Sequence, residues 1–162
     1  MANAGETIDR PLVIREMVDG DLDQVVRLEQ EIFPDPWSRS AFSDIFAEDS
    51  WGALAVECDR LIVGYACYLV VAEECHLANI AVRPAYRRKS VARRMLERIL
   101  QVARNKGCDA IFLEVRVSNQ QAISFYRKCG FIELYLRPGY YSKPKENALV
   151  MVLHLRPSEV GT

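Results

Sequence analysis

Residues 87–93, Arg-Arg-Lys-Ser-Val-Ala-Arg, set four cations around two small side chains where an apolar strand runs through a short loop into an amphipathic helix. A helix start leaves about four backbone N–H groups without intrahelical partners and carries roughly half a positive charge, so an anion settles there. Arg87, Arg88, Lys89 and Arg93 add to that field, Ser90 and Ala92 let a ligand approach the backbone, and Val91 begins the apolar face of the helix. The chemistry open to this segment is the binding of a pyrophosphate; an ordinary strand-to-helix turn with a solvated basic face carries the same charges. Two further residues could move protons. Glu114 stands mid-strand in an otherwise apolar run, where partial burial would raise its pKa and suit it to act as a base. Exposure to solvent, or pairing with Arg116 on the same strand face, is the other reading. Tyr126 lies at helical spacing beside Ile123, either as a core side chain or as a hydroxyl able to donate a proton.

These residues need elements to hold them. The periodicity predicts a strand over 12–15 and then a helix capped within Asp19-Gly20-Asp21, with Leu22, Val25, Val26, Ile32 and Phe33 on one face and Pro34 as its stop. After Pro34-Asp35-Pro36-Trp37, Ser38 caps a second helix to about residue 47, with Phe42, Ile45 and Phe46 as its apolar contacts. Strands over 53–58 and 61–71 meet at the tight Asp59-Arg60 connection, and the unbroken apolar character of the longer one buries it on both faces. A strand over 75–82 feeds the basic loop. The helix that follows runs to about residue 106 with Val91, Met95, Ile99 and Val102 aligned, and Gly107 ends it. A strand over 110–117, a helix capped by Asn119 and broken by Gly130, and strands over 131–136 and 148–155 complete the chain. The order is β-α-α-β-β-β-α-β-α-β-β, and periodicity by itself assigns it an α/β or α+β class.

The chain has 162 residues, half of them hydrophobic, which amounts to one domain able to bury a core without metals or disulfides. Residues 11–156 are expected to form it, with 1–10 and 157–162 as flexible ends. A net charge of −1 argues against bulk binding to nucleic acid or a membrane, yet seven of the sixteen positions from 83 to 98 are basic and only Glu97 is acidic. That patch suits a polyphosphate nucleotide and is too compact for a nucleic-acid groove. Cys58, Cys67, Cys75, Cys108 and Cys129 are odd in number, have no C-x-x-C spacing and read as buried free thiols in a reducing cytoplasm. With only His76 and His154 beside them, no metal site is expected. The N-terminus has no apolar signal core. The longest apolar run, 61–72, is about twelve residues against the ~20 that span a bilayer, so a soluble cytoplasmic protein is expected. No pattern assigns an oligomeric state.

In their order, Arg87, Arg88, Lys89, Ser90, Val91 and Ala92 resemble the Q/R-x-x-G-x-G/A signature of the GCN5-related N-acetyltransferases, with Ser90 where that family usually has glycine. LEVRVSNQQAISFYRKCGF from Leu113 resembles the second half of the same core. FPDPWS at 33–38 and YYSKPKENALVM at 140–151 resemble the RimI-type branch, which acetylates the N-terminal amine of proteins; Asn147 stands at that branch's usual aspartate. The resemblance spans about residues 12–155. It implies a single-domain acetyltransferase fold, a mixed and mostly antiparallel seven-stranded sheet flanked by about four helices.

The same resemblance implies acetyl-coenzyme A as donor and a protein N-terminus as acceptor, an alanine of a small-subunit ribosomal protein, by direct transfer in a ternary complex. Other protein N-termini, lysine or a small amine remain alternative acceptors, and a non-catalytic coenzyme-binding module is an alternative of another class. The resemblance makes Glu114 the base for an ammonium of pKa near ~8 and Tyr126 the acid for the departing thiolate. It makes the backbone of Ile80, Ala81 and Val82 the edge along which the pantetheine arm lies as an added strand. Asn119 becomes a coenzyme contact as well as a cap, and Trp37, Tyr140 and Tyr141 become the walls of an acceptor slot, with plain packing as their other reading. Cys129 has no neighbouring histidine to activate it for a covalent route.

Overall fold

Local signals along the chain convert into seven strands and four α-helices. A computed structural model describes residues 10–156. It contains β1 Val13–Glu16, α1 Leu22–Ile32, α2 Arg39–Ile45, β2 Trp51–Cys58, β3 Leu61–Val71 and β4 Glu74–Val82. Then follow α3 Val91–Asn105, β5 Ala110–Arg116, α4 Gln120–Lys128, β6 Ile132–Ser142 and β7 Lys145–His154. One-turn 3-10 segments at Asp19–Asp21 and Pro84–Tyr86 precede α1 and the basic loop. The expected order of elements is present, in a sheet ordered β1-β2-β3-β4-β5-β7-β6. Every neighbouring pair is antiparallel except β4 with β5. No helix among the described residues is long and apolar enough to cross a membrane.

Several short-range expectations hold for identifiable reasons. The Ser38 hydroxyl accepts the Ala41 N–H at 3.2 Å, and Asn119 Oδ1 accepts the Ala122 N–H at 3.2 Å, so both helices start on a side-chain cap. Phe33, crowded by Pro34, is extended and ends α1. Asp59 and Arg60 both take positive φ, the twist a two-residue hairpin needs. Gly107 and Gly130, at φ +77° and +100°, close α3 and α4.

Three expectations change. Asp21 does not cap α1 with its side chain. It turns back to accept the Val18 N–H at 2.8 Å and both Arg15 Nη groups at 2.8 Å, because a forked guanidinium satisfies a carboxylate better than one amide does. β6 and β7 are longer than expected, pairing out to Ser142 and Lys145. Arg137-Pro138-Gly139 had the composition of a break, but a register irregularity between Arg137 and Tyr141 absorbs it: Gly139 takes φ +62° and donates its N–H to Asn147 Oδ1 at 2.9 Å. β2 begins at Trp51 rather than residue 53. The expectation of loose ends falls on residues outside those described, except for Arg10, which pairs with Asp59.

The core lies on both faces of the sheet. β3, buried almost throughout, sends Val63, Ala66 and Tyr68 to one side and Ile62, Tyr65 and Cys67 to the other. The first side joins Val91, Met95, Leu96 and Ile99 of α3 to Leu113 and Val115 of β5, Leu149 and Met151 of β7, and Ile123 and Tyr126 of α4. The second packs Leu22, Val25 and Leu28 of α1 and Phe42 and Ile45 of α2 against β2–β4. One apolar layer therefore spans both halves of the sheet, while α1 and α2 cover the first half only.

The Arg15 guanidinium holds the Asp21 carboxyl below its ordinary value of 3.8. A carboxyl whose pKa is lower folded than unfolded adds stability above the unfolded value and loses it as pH falls through the folded one. Asp21→Asn is expected to cost about 1–3 kcal/mol at pH 7 by leaving charge-assisted bonds unmade. The gap from wild type should close below pH 3.8. Urea melts at both pH values check this; an equal gap at both would refute it.

Candidate active site

A split in the sheet organises the site. β4 and β5 pair only over Glu74–Ala110, Cys75–Ile111, His76–Phe112 and Leu77–Leu113. On the other edge of β4 the register with β3 slips between Leu77 and Asn79, leaving exposed Ala78 unpaired in a bulge. Beyond it β4 stays with β3 to Val82 opposite Gly64, and β5 stays with β7 to Arg116 opposite Ala148. Residues 79–82 thus present one strand edge to an open wedge. Ile80 and Val82 face the α3 side and Ala81 the α1 side, so side chains serve packing and the backbone is left to bind.

The wedge leads to the basic loop. Val91 and Met95 seat α3 in the core, and the first intrahelical bond is that of the Arg94 N–H to the Ser90 carbonyl at 3.0 Å. The N–H groups of residues 88–93 find no acceptor among the described residues, which leaves a row of donors at a positive helix end. Arg88, Lys89, Ser90 and Arg93 are exposed there. This donor set fits a pyrophosphate. Ser90 sits at φ +60° and ψ +20°, in the left-handed region that favours glycine, and its hydroxyl makes no cap bond. The serine is accommodated at a cost of order 1–2 kcal/mol. Arg87 does something the sequence did not signal: its Nε donates to the Val82 carbonyl at 3.2 Å, on the strand edge itself.

Glu114 comes to the other wall of the wedge, while Tyr126 lies in the core on the opposite face of the sheet. Glu114 lies on β5 just past the last β4–β5 pair, on the face away from α4, with 26% of its side chain exposed. Arg116 is not its partner. That guanidinium lies 4.2 Å from the Tyr141 ring centre and bonds the Pro144 and Lys143 carbonyls at 2.9 and 3.1 Å, and Glu146 at 3.4 Å. Glu114 instead meets Arg137 Nη1 of β6 at 3.4 Å, a pairing invisible in sequence because Arg137 arrives across β7. Arg137 also stacks over Tyr140 at 4.4 Å.

Tyr126 is buried in the α4-side core against Phe125 and Phe131. Burial first, then Tyr141 and Cys129, push its pKa above 10, so the hydroxyl keeps its proton at neutral pH. The Tyr141 hydroxyl is pushed up to about 12 by burial, then Tyr140 and Glu114. Burial raises the Cys129 thiol, opposing any thiolate chemistry there.

The two slot segments stand on opposite halves of the sheet. Trp37 is half-buried against Phe42 at 5.4 Å and Trp51 at 6.4 Å. Tyr140 and Tyr141 meet edge to face at 5.0 Å on β6. Asn147, the departure from aspartate, needs only its amide oxygen to receive Gly139. Asn119 is seen as a cap; nothing else among the described residues hydrogen-bonds its side chain.

The chain matches the family model described as Acetyltransferase (GNAT) family over residues 22–131. The [ribosomal protein bS18]-alanine N-acetyltransferase of Escherichia coli (strain K12) is 33% identical over 135 residues, 82% of this chain and 90% of that protein. The crystal structure of the ribosomal-protein-S18-alanine N-acetyltransferase from Escherichia coli superposes with a TM-score of 0.83 at 28% identity, covering 94% and 99% of the two chains. That of Ard1 from Thermoplasma volcanium gives 0.82 at 26% identity, covering 90% and 99%.

Ser90→Gly is expected to bind acetyl-coenzyme A as tightly as wild type or up to ~3-fold tighter, and Ser90→Val, β-branched at a positive φ, at least ~10-fold more weakly. Calorimetric titration measures both. Equal affinities for all three proteins would show that this residue does not shape the cradle.

Proposed function

The chain belongs to the Acetyltransferase (GNAT) family and is an N-acetyltransferase, and from that premise we propose that it acetylates the α-amine of a protein N-terminus with acetyl-coenzyme A. The acceptor is an N-terminal alanine of a small-subunit ribosomal protein. The observation that carries the reading is the free β4 edge over 79–82 leading to the row of unbonded N–H groups at 88–93, with Glu114 just past the last β4–β5 pair. The relatives named for bS18-alanine acetylation support the choice of acceptor.

The coenzyme supplies an acetyl thioester; this chain binds, orients and moves protons. The N–H groups of 88–93 hold the pyrophosphate, with Arg88, Lys89 and Arg93 screening its charge. The backbone of Ile80, Ala81 and Val82 receives the amide-rich arm as an added strand, for which Arg87 releases the Val82 carbonyl. Asn119 contributes at the start of α4. Trp37 on one side and Tyr140 and Tyr141 on the other wall the acceptor slot. Glu114 takes the ammonium proton, directly or through a water, and a cation is already held against it in the form of Arg137. Tyr126, protonated because buried, gives its proton to the departing thiolate. Buried free thiols at Cys58, Cys67, Cys75 and Cys108 fit a cytoplasmic enzyme.

Peptides differing only in their first residue test the acceptor: alanine is expected to be preferred, and preferential acetylation of a lysine side chain would reassign it. Glu114→Gln and Tyr126→Phe are each expected to lower kcat on the order of 10²-fold or more. Either variant turning over at the wild-type rate removes that residue from the mechanism. Wild-type kcat/KM should rise through pH ~8 as the amine loses its proton. The upward shift of Tyr126 predicts no falling limb below pH 10; a fall at pH 9 that disappears in Tyr126→Phe would show that its hydroxyl is not shifted up.

A further inference from the structure

Glu29 is an acidic side chain turned into the core, 1% exposed on the inner face of α1. Its oxygens accept the Asn79 amide at 2.9 and 3.0 Å, the Tyr65 hydroxyl and the Trp37 backbone N–H at 3.4 Å. These partners are all neutral donors. Burial raises the Glu29 pKa against the opposing pull of Tyr65, Asn79 and Trp37, so the site is a costly place for an anion and an apolar residue would pack there more cheaply. The positions of the donors give the carboxylate a purpose. Trp37 belongs to the segment between α1 and α2. Asn79 is the first β4 residue past the bulge at Ala78, where β4 leaves β5. Tyr65, on β3, pairs with Ala81 from the edge of β4 opposite the wedge.

We propose that Glu29 is a positioning residue for acetyl transfer: by holding Trp37 and Asn79 with one carboxylate it fixes the acceptor wall against the β4 edge that receives the coenzyme arm. The proposal rests on the reading above that these two segments border acceptor and donor. Glu29 lies beneath the site and touches neither reactant. Glutamine keeps its length and shape but replaces an acceptor oxygen with an NH2 group that cannot receive the Asn79 amide or the Trp37 N–H. Aspartate keeps the charge and loses reach.

Glu29→Gln is expected to lower acceptor kcat/KM about 10–100-fold, carried mainly by a rise in acceptor KM, since a small misplacement far from the chemistry costs that much. The Kd for acetyl-coenzyme A should stay within ~3-fold, the 88–93 cradle being untouched, and Glu29→Asp should recover part of the loss. Hydrogen exchange at the Trp37 amide should accelerate. Ile99→Val, a core change in α3, serves as the stability control. The proposal is overturned if Glu29→Gln leaves acceptor KM and Trp37 exchange unchanged, or if Ile99→Val raises acceptor KM equally. Should Glu29→Gln not fold, Tyr65→Phe, which removes one donor, must raise acceptor KM to sustain the idea; an unchanged KM sinks it. Kinetics are run on whichever amine the wild type acetylates, and the exchange readout needs no acceptor. A wild type that prefers lysine therefore refutes the N-terminal reading while leaving this test decisive.

Discussion

The rest of the structure depends on β4 and β5 being unable to stay together. Four parallel pairs form, a bulge at Ala78 follows, and each strand continues with its other neighbour alone. Backbone N–H and C=O groups inside a fold require partners, so a strand edge left free within a sheet asks for a ligand that can supply the missing ladder. An amide-bearing chain lying along 79–82 does that, and the helix start at 88–93 stands where the same ligand's anionic end would go. The split is stable because the layer containing α3 and α4 is continuous across it, from Val63 and Ala66 through Leu113 and Val115 to Leu149 and Met151. On the opposite face α1 and α2 cover only β1–β4, which leaves Glu114 approachable from the far half.

Charge is distributed to match. A chain of net charge −1 gathers seven basic residues between positions 83 and 98. The arginines of the other half are already occupied, Arg116 with Glu146 and two carbonyls and Arg137 with Glu114. Burial raises Tyr126 and Tyr141 above the ordinary phenol range, in which both already hold their protons at neutral pH.

Where the sequence was legible, the interactions are local. Ser38 and Asn119 cap, Gly107 and Gly130 stop, and the Asp59-Arg60 turn follows from residues within a few positions of one another. The cradle was legible for the same reason, since a strand, a loop and a helix start adjoin in the chain. Glu114 and Tyr126 could be singled out by type and resemblance, but not their surroundings. Pairing with Arg116, two residues along the same strand face, was one alternative for Glu114, and the pairing went to Arg137 from two strands away. Asp21 read as a candidate helix cap, and nothing local marked Glu29.

What the amino-acid sequence determined by itself was the order of elements, the apolar face of each, the basic loop at the start of α3 and the family. Those properties repeat every two or 3.6 residues or sit within one turn, so they are written in consecutive positions. Only the tertiary structure decided where β4 parts from β5, that β6 runs on past Pro138, and which donors surround Glu29 and Glu114. The physical reason is that these depend on register between strands and on burial, and a partner fifty residues away, as Asn79 is from Glu29, leaves no periodic trace in either segment.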